Sequence, residues 1–345
     1  MKKILFVSKD IGGANIAAPL AEEFVRGGHS VTIISEGLAS AIFEKRGFSL
    51  DFKGSVNFLE EPFTLDAVAV IKKVNPDIIC TTDGSPIHLE EEFGLAANRL
   101  SIPLIFLEGF WGSFTRSKAR PDAMLVLDQY SKELALRVYP EAKVAVVGNP
   151  GVIKKDELLS IDTHLLDHLK NNSAKVFLYT GGDPVATSEQ LDLLVKCLEK
   201  TSGEWRLVVR FHPKWVKVTE AKSKRTFGEI WNEILSLVAG RIVTCDDLSK
   251  MEVVVNCDLL MSDYSTFLTT AVIAGKPAIT LFTPLVKSSL QGESVVDEVP
   301  LVTMGYAHEV KEPCDLSRFE PSKKSLEGLK PYEPKLAYDA IMNFF

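Results

Sequence analysis

Between Asp258 and Leu281 a single stretch carries strand, turn, helix, stop and strand in order. Residues 259–261 are an apolar run that ends a short buried strand. Ser262-Asp263-Tyr264 makes the turn, and Ser265 and Thr266 open a helix whose body is 267–274. Gly275-Lys276-Pro277 stops it, because glycine suits the position just past a helix end and proline cannot continue a helix. Residues 278–281 are the next strand, so the stretch is a β-α-β crossover. Strands joined in this way run parallel and belong in a sheet covered by helices on both faces. Two hydroxyl residues at a helix N-terminus beyond a strand end also suit a phosphate, since free N–H groups and the helix dipole converge there. The plainer reading is that Asp263 and Ser265 only cap the helix.

The rest of the chain repeats the same alternation. Residues 4–8 read as a buried strand, 9–15 as a glycine-containing loop, 16–25 as a helix closed by Gly27-Gly28, and 31–34 as a second strand. That order is a Rossmann-type opening. Gly12-Gly13 lacks the full G-x-G-x-x-G spacing, and no acidic residue is placed for a ribose hydroxyl, so a dinucleotide site is not specified. Helices near 38–45, 65–74 and 89–100 alternate with strands at 77–80, 103–107, 123–127 and 144–147. Gly148-Asn149-Pro150-Gly151 then breaks the pattern. A second series starts with a strand at 175–179 and the loop Thr180-Gly181-Gly182-Asp183. It continues with a helix through 189–198, a strand at 207–211, a helix through 230–238 and a strand near 241–244. The Asp258–Leu281 stretch and a short strand near 301–303 follow. The expected organisation is therefore an α/β pair of Rossmann-like parallel-sheet domains, 1–150 and 151–330, with a C-terminal helix in 331–345 packing back on the body.

Composition narrows the partners. A net charge of -7 over 345 residues, without clustered Lys/Arg interleaved with aromatics, argues against nucleic acid. No signal-peptide pattern and no membrane-length apolar run is read. Five scattered cysteines without a C-x-x-C suggest reduced thiols, so a cytoplasmic location is expected. No D-x-D and no histidine pair at metal spacing occurs, so neither a metal nor a cofactor is implied.

Chemistry in open α/β sheets gathers at strand C-terminal ends. Gly12-Gly13-Ala14-Asn15 is either a ligand loop or a turn required by packing. Glu108-Gly109, after the strand ending at Leu107, offers a carboxyl able to approach a substrate as general base, although an exposed loop glutamate is the commoner case. Phe110, Trp111 and Phe114, with Arg116, Lys118 and Arg120 behind them, form a lip for an acceptor or an anionic surface, or else core side chains and a solvated basic loop. His212, fixed by Pro213, can donate to a phosphate or protonate a leaving group, or bond its own turn. Thr180-Gly181-Gly182 adds backbone amides beside them. Asp83-Gly84, after Thr81-Thr82, is a fifth candidate, which reads as a turn.

These motifs resemble a known superfamily. Gly12 to Val31, with its glycine loop and Gly28-His29 before the second strand, is similar to the opening of GT-B glycosyltransferases. Val147-Gly148-Asn149-Pro150 resembles the V-x-G-N-P of GT-B relatives, among them the lipid-linked N-acetylglucosamine transferase of peptidoglycan synthesis and the UDP-N-acetylglucosamine 2-epimerases. His212-Pro213 and Ser265-Thr266 resemble the H-P and S-S/T motifs of bacterial sialyltransferases, CDP-glycerol glycerophosphotransferases and capsule Kdo transferases. Glu108-Gly109 matches the acidic-plus-glycine motif of the sialyltransferases, but Leu107 replaces their second acidic residue. The 2-epimerase motif H-x-E-A-G-x-R is missing.

The resemblance implies a GT-B protein with its ligand in a cleft between two facing domains. It implies a metal-independent, inverting glycosyltransferase of cell-surface polysaccharide or glycoconjugate synthesis, with a nucleotide-sugar as substrate. Thr180, Gly181, Gly182, His212, Ser265 and Thr266 would hold the nucleotide phosphate. Gly12, Gly13 and Asn15 would meet a glycan or lipid-linked acceptor, with peripheral membrane contact, and Glu108 and His212 would be catalytic. The alternatives are a nucleotide-sugar epimerase or hydrolase on the same fold, and a two-lobed sugar-binding protein without catalysis.

Overall fold

The computed structural model describes residues 1–48, 52–54, 66–84, 88–170, 173–184 and 186–345. The chain divides into two compact units, the first made of residues 1–150, 293–295 and 327–345, the second of 151–292 and 296–326.

The first unit alternates β1 (Lys3–Ser8), α1 (Ile11–Arg26), β2 (Ser30–Glu36), α2 (Gly37–Lys45), β3 (Phe52–Gly54), α3 (Ala67–Val74) and β4 (Ile78–Thr81). It continues with α4 (Leu89–Leu100), β5 (Leu104–Leu107), β6 (Ala123–Val126), α5 (Gln129–Val138) and β7 (Lys143–Val146). The strands form a parallel seven-stranded sheet in the order β3-β2-β1-β4-β5-β6-β7. Strand order reverses between β1 and β4, so the loops after these two strands flank the switch point, where ligands bind in such sheets. The sheet is buried on both faces: β4, β5 and β6 have no exposed residue, which explains their short, wholly apolar or small-residue sequences.

The second unit contains α6 (Lys155–Leu159), β8 (Lys175–Gly181), α7 (Thr187–Lys200), β9 (Trp205–Phe211), α8 (Pro213–Val216), α9 (Phe227–Leu235) and β10 (Ile242–Val243). Then come α10 (Lys250–Asn256), β11 (Leu259–Ser262), α11 (Thr266–Ile273), β12 (Ala278–Leu281), α12 (Pro284–Glu293), α13 (Pro300–Thr303) and β13 (His308–Val310). Its six parallel strands run β10-β9-β8-β11-β12-β13, with the switch between β8 and β11. Trp231, Phe177 and Tyr179 are fully buried at its centre.

The last helix, α14 (Pro334–Phe344), lies on the first unit, where Ala337 and Ile341 join the core around α1. The Phe24 and Tyr338 rings meet at 5.0 Å, and Tyr338 Oη lies 3.2 Å from His29 Nε2. The segment before α14 explains the G-N-P motif. Lys330 and Tyr332 exchange backbone bonds with Asn149, at 2.8 and 3.2 Å, and Glu333 N–H donates to Val147 O at 2.9 Å. Gly148 adopts φ 92, and a Cβ there would sit 2.0 Å from Pro331 O. The glycine is needed because the returning backbone occupies its side-chain space.

Four local expectations are corrected. The stretch 9–15 is not a loop: α1 begins at Ile11, so Gly12, Gly13 and Asn15 lie in its first turns. Thr180 and Gly181 belong to β8. Residues 301–303 are helical because Pro300 starts a helix at its first position, and the edge strand is β13 instead. The helix expected over 230–238 ends at Leu235 and passes into a 3-10 turn over Ser236–Arg241. The expected start of α3 at Leu65 lies outside the described residues.

Candidate functional site

In the first unit the strand ends bring four loops to one edge. Gly13 presses α1 against the loop after β4: a Cβ there would lie 2.4 Å from Thr82 Oγ1. Its glycine is thus a packing requirement, whereas Gly12 has open space and Asn15 is exposed. Asp10 precedes the helix without capping it through its side chain.

Glu108 is not the exposed carboxyl its position suggested. Only 2 % exposed, it accepts from Gly112 N–H at 2.8 Å with Oε1 and from Leu127 N–H at 3.1 Å with Oε2. Burial pushes its carboxyl up to about 8 against these two bonds. Its work in this structure is to clamp the 108–112 turn to the end of β6, and an acceptor hydroxyl does not reach it without breaking a backbone bond.

Asp83 takes the more open place in the same cluster. Partly exposed, it accepts through Oδ2 from Gly109 N–H at 2.8 Å and, closely, from Ser113 Oγ. Arg116 spans the loop, donating to Asp83 O at 2.7 Å and pairing with Glu293 at 2.6 Å. Of the two readings of the aromatic segment, core and lip, the core one describes its two larger buried rings. Trp111 and Phe114 are core side chains, 3 % and 1 % exposed, and Trp111 Nε1 donates to Asp128 at 2.7 Å. Lys118 and Arg120 are exposed, as a solvated basic loop requires.

In the second unit the glycine segment ending β8 lies between the ends of β9 and β11. His212 N–H donates to Gly181 O at 2.9 Å, and a Cβ on Gly182 would stand 2.6 Å from His212 Cβ. Gly182 therefore lets the imidazole-bearing turn come close, while His212 itself is exposed. Thr180 is buried and donates to Ser262 Oγ at 2.9 Å, so it ties β8 to β11 and does not face solvent. Ser262 returns a bond to Thr180 O at 2.8 Å.

Ser265 caps α11, accepting from Phe267 N–H at 3.3 Å, which is the capping role the sequence offered. Asp263 is buried, with its carboxyl pushed up to about 6 by desolvation and then by the charge of Asp183, and it accepts from the Tyr264 and Ser265 N–H groups. Thr266 is the exposed first residue of the helix, and its N–H has no partner among the described residues. Lys250, at the start of α10, reaches over to it. Its Nζ lies 3.4 Å from Thr266 Oγ1 and 4.0 Å from the Phe267 ring centroid. Burial lowers this lysine to about 8. A half-buried cation beside an uncapped amide at a helix start attracts anions. Sequence reading missed Lys250, since sixteen residues and a strand separate it from Thr266.

The structure thus joins Gly181, Gly182 and His212 into one turn, Thr180 and Ser262 into a buried bond beneath it, and Ser265, Thr266 and Lys250 into a helix N-terminus. Among the described residues no group of three or more His, Cys, Asp or Glu side chains could hold a metal ion, and no helix is long and apolar enough to cross a membrane.

No family model matches the chain, and no curated protein sequence does. Solved structures do. The S. aureus MnaA–UDP structure matches with TM-score 0.60 at 15 % identity, covering 99 % of this chain and 88 % of that one. Methanocaldococcus jannaschii UDP-GlcNAc 2-epimerase, solved with UDP-GlcNAc and UDP, matches with TM-score 0.56 at 14 % identity over 99 % of this chain and 92 % of its own. CalG4, the calicheamicin glycosyltransferase, matches with TM-score 0.52 at 12 % identity over 100 % of this chain and 90 % of its own. At such identity the likeness speaks to the fold: two Rossmann-like α/β units of the GT-B class.

Proposed function

We propose that this chain is an enzyme acting on a nucleotide-activated sugar, and that it transfers the sugar to an acceptor hydroxyl. The observation that carries the reading is the second unit's strand-end edge. There the Gly182–His212 turn and the Thr266 amide with Lys250 lie on either side of the β8 end, beside the topological switch point. Such a set suits a pyrophosphate, with donors on both sides and no cation supplied by the ligand. Neighbours of this fold solved with UDP support the ligand class.

In transfer, an acceptor oxygen forms a bond to the anomeric carbon as the bond from that carbon to the phosphate oxygen breaks. The leaving nucleoside diphosphate gathers negative charge, which Lys250, the Thr266 N–H and His212 would stabilise. The acceptor proton needs a base. Asp83 is our choice, since it is partly exposed, with Glu108 holding the loop that orients it.

Epimerisation is the second reading. Asp83 and Glu108 share one cluster, close enough for Asp83 to raise the Glu108 carboxyl, and a pair of acids suits proton removal from one face of a sugar and return to the other. Incubation with UDP-sugars separates the two: transfer needs an added acceptor and releases UDP, whereas epimerisation changes the sugar with no acceptor and no net release. Calorimetric titration with UDP tests the shared part, and the absence of any binding heat or thermal shift removes both readings.

A further inference from the structure

Glu90 lies outside the chemistry assigned above. It sits in the first turn of α4, 1 % exposed, beneath the loop after β4. One of its oxygens, Oε1, accepts from Lys9 N–H at 2.9 Å and lies 3.3 Å from Thr82 Oγ1, whose hydroxyl is nearer Ser8 Oγ, at 3.1 Å. The other, Oε2, is buried and has no partner among the described residues, and the same holds for the Thr81 hydroxyl. Both residues line the same small cavity of about 10 Å³, together with Thr82, Asp83, Ser113 and Phe114. That volume is near the lower limit for one water molecule. The cavity wall is largely apolar, with Phe106 and Phe114, yet two of its residues carry buried polar atoms without partners among the described residues, which are rare in folded proteins.

The bonding also places the proton of a neutral Glu90. Oε1 accepts from the Lys9 N–H, so the proton sits on the bare Oε2 and needs an acceptor. The Lys9 ammonium favours a Glu90 charge only weakly, less than Asp10 opposes it, and is paired with the buried Glu36 at 3.8 Å. Asp10 adds a second negative group beside Glu90, and Asp83 faces the cavity from the neighbouring loop. His88, the residue before α4, is exposed and belongs to the field of Glu36. Gly84 closes the site, since a Cβ there would meet Glu90 Oε1 at 2.7 Å.

We propose that this cavity is a built site for one water molecule, which accepts the Oε2 proton of an uncharged Glu90 and bonds the Thr81 hydroxyl. The water and the neutral acid depend on each other. An ionised Glu90 would present two acceptors with no ion-pair partner among the described residues, and a neutral one without the water would leave its proton unsatisfied.

A crystal structure of the full chain, at a resolution that shows surrounding ordered waters, reads the site directly. Density is expected within hydrogen-bond distance of both Glu90 Oε2 and Thr81 Oγ1, retained in Glu90→Gln and lost in Thr81→Val. In solution, burial pushes the Glu90 carboxyl up to about 7. The stability it contributes is full below its unfolded value and lost as pH rises through about 7. The melting temperature of Glu90→Gln should therefore fall less than that of the natural chain between about pH 6 and 8. A cavity without density, an equal fall in both proteins, or a Glu90 carboxyl carbon whose NMR titration shows it ionised at about pH 5.5 each overturns the proposal. Should Glu90→Gln not fold, the NMR titration of the natural chain decides alone.

Discussion

Replacing Lys250 with methionine tests the proposed phosphate site at its least obvious residue. Methionine keeps an unbranched apolar stem over the Phe267 ring and removes only the charge. The ammonium lies 3.4 Å from Thr266 Oγ1, so a phosphate oxygen bound at the Thr266 N–H would come within about 4 Å of it. At that range, with the partial screening of a near-surface site, a pair of unit charges attracts by about 4 kcal/mol. After desolvation, a hydrogen bond to a charged group contributes about 1.5–3 kcal/mol net. Lys250→Met should thus weaken UDP binding by about 10- to 150-fold in calorimetric titration. The lysine also sets a proton signature. Burial holds it at about 8, so near that pH about half the molecules are uncharged, and an arriving phosphate should draw a proton from solution. Titrations in buffers of different ionisation enthalpy should show uptake of up to about half a proton per UDP, absent in the variant. Folding should not suffer, because a lowered lysine value costs stability below it and the variant removes that cost. Unchanged affinity together with zero proton uptake would refute the placement of the phosphate beside this helix.

Asp83→Asn should retain UDP affinity within a factor of about two yet lower turnover by about 100- to 10,000-fold, the range for losing a general base. A loss of affinity equal to the loss of turnover would make Asp83 a binding residue. Glu108→Gln should act first on the fold, since an amide offers one acceptor where two backbone N–H groups now find oxygens; denaturation of the first unit should show a cost of about 1–3 kcal/mol. Gly148→Ala should be worse placed still, with φ 92 and a Cβ 2.0 Å from Pro331 O, and should lose at least about 2 kcal/mol or release the C-terminal segment to proteolysis. Rising pH should also weaken the first unit independently of Glu90: Glu108 is pushed up to about 8, so its contribution is full below its unfolded value and fades through that pH, and a melting temperature that climbs from about pH 6 to 9 would contradict this.

The fold was legible because parallel sheets buried on both faces demand short apolar runs separated by amphipathic helices, and that pattern is written along the chain. The stretch from Asp258 to Leu281 gave strand, cap, stop and strand with nearly the observed limits. Glycine was read less well, because its use depends on what comes near it in space. Gly13 yields to Thr82, Gly182 to His212 and Gly148 to Pro331, and none of these neighbours is adjacent in sequence. Burial decided the rest. Glu108 and Trp111 sit on a strand-end loop, where exposure is the ordinary expectation, but both turn inward to satisfy backbone and carboxyl groups. Asp83 looked like a turn residue, and it became part of a cluster only once β4 and β5 lay side by side. Lys250 carried no local signal at all, since its meaning comes from a helix start packed against its own.

The central claim is that the second unit receives a nucleoside diphosphate at its strand-end edge. A crystal structure of the protein with UDP tests it most directly. The account predicts pyrophosphate oxygens bonded to the Thr266 N–H and Lys250 Nζ, with His212 in reach from the other side of the β8 end. UDP seated elsewhere, or its phosphates turned to solvent while the base alone is held, would contradict it.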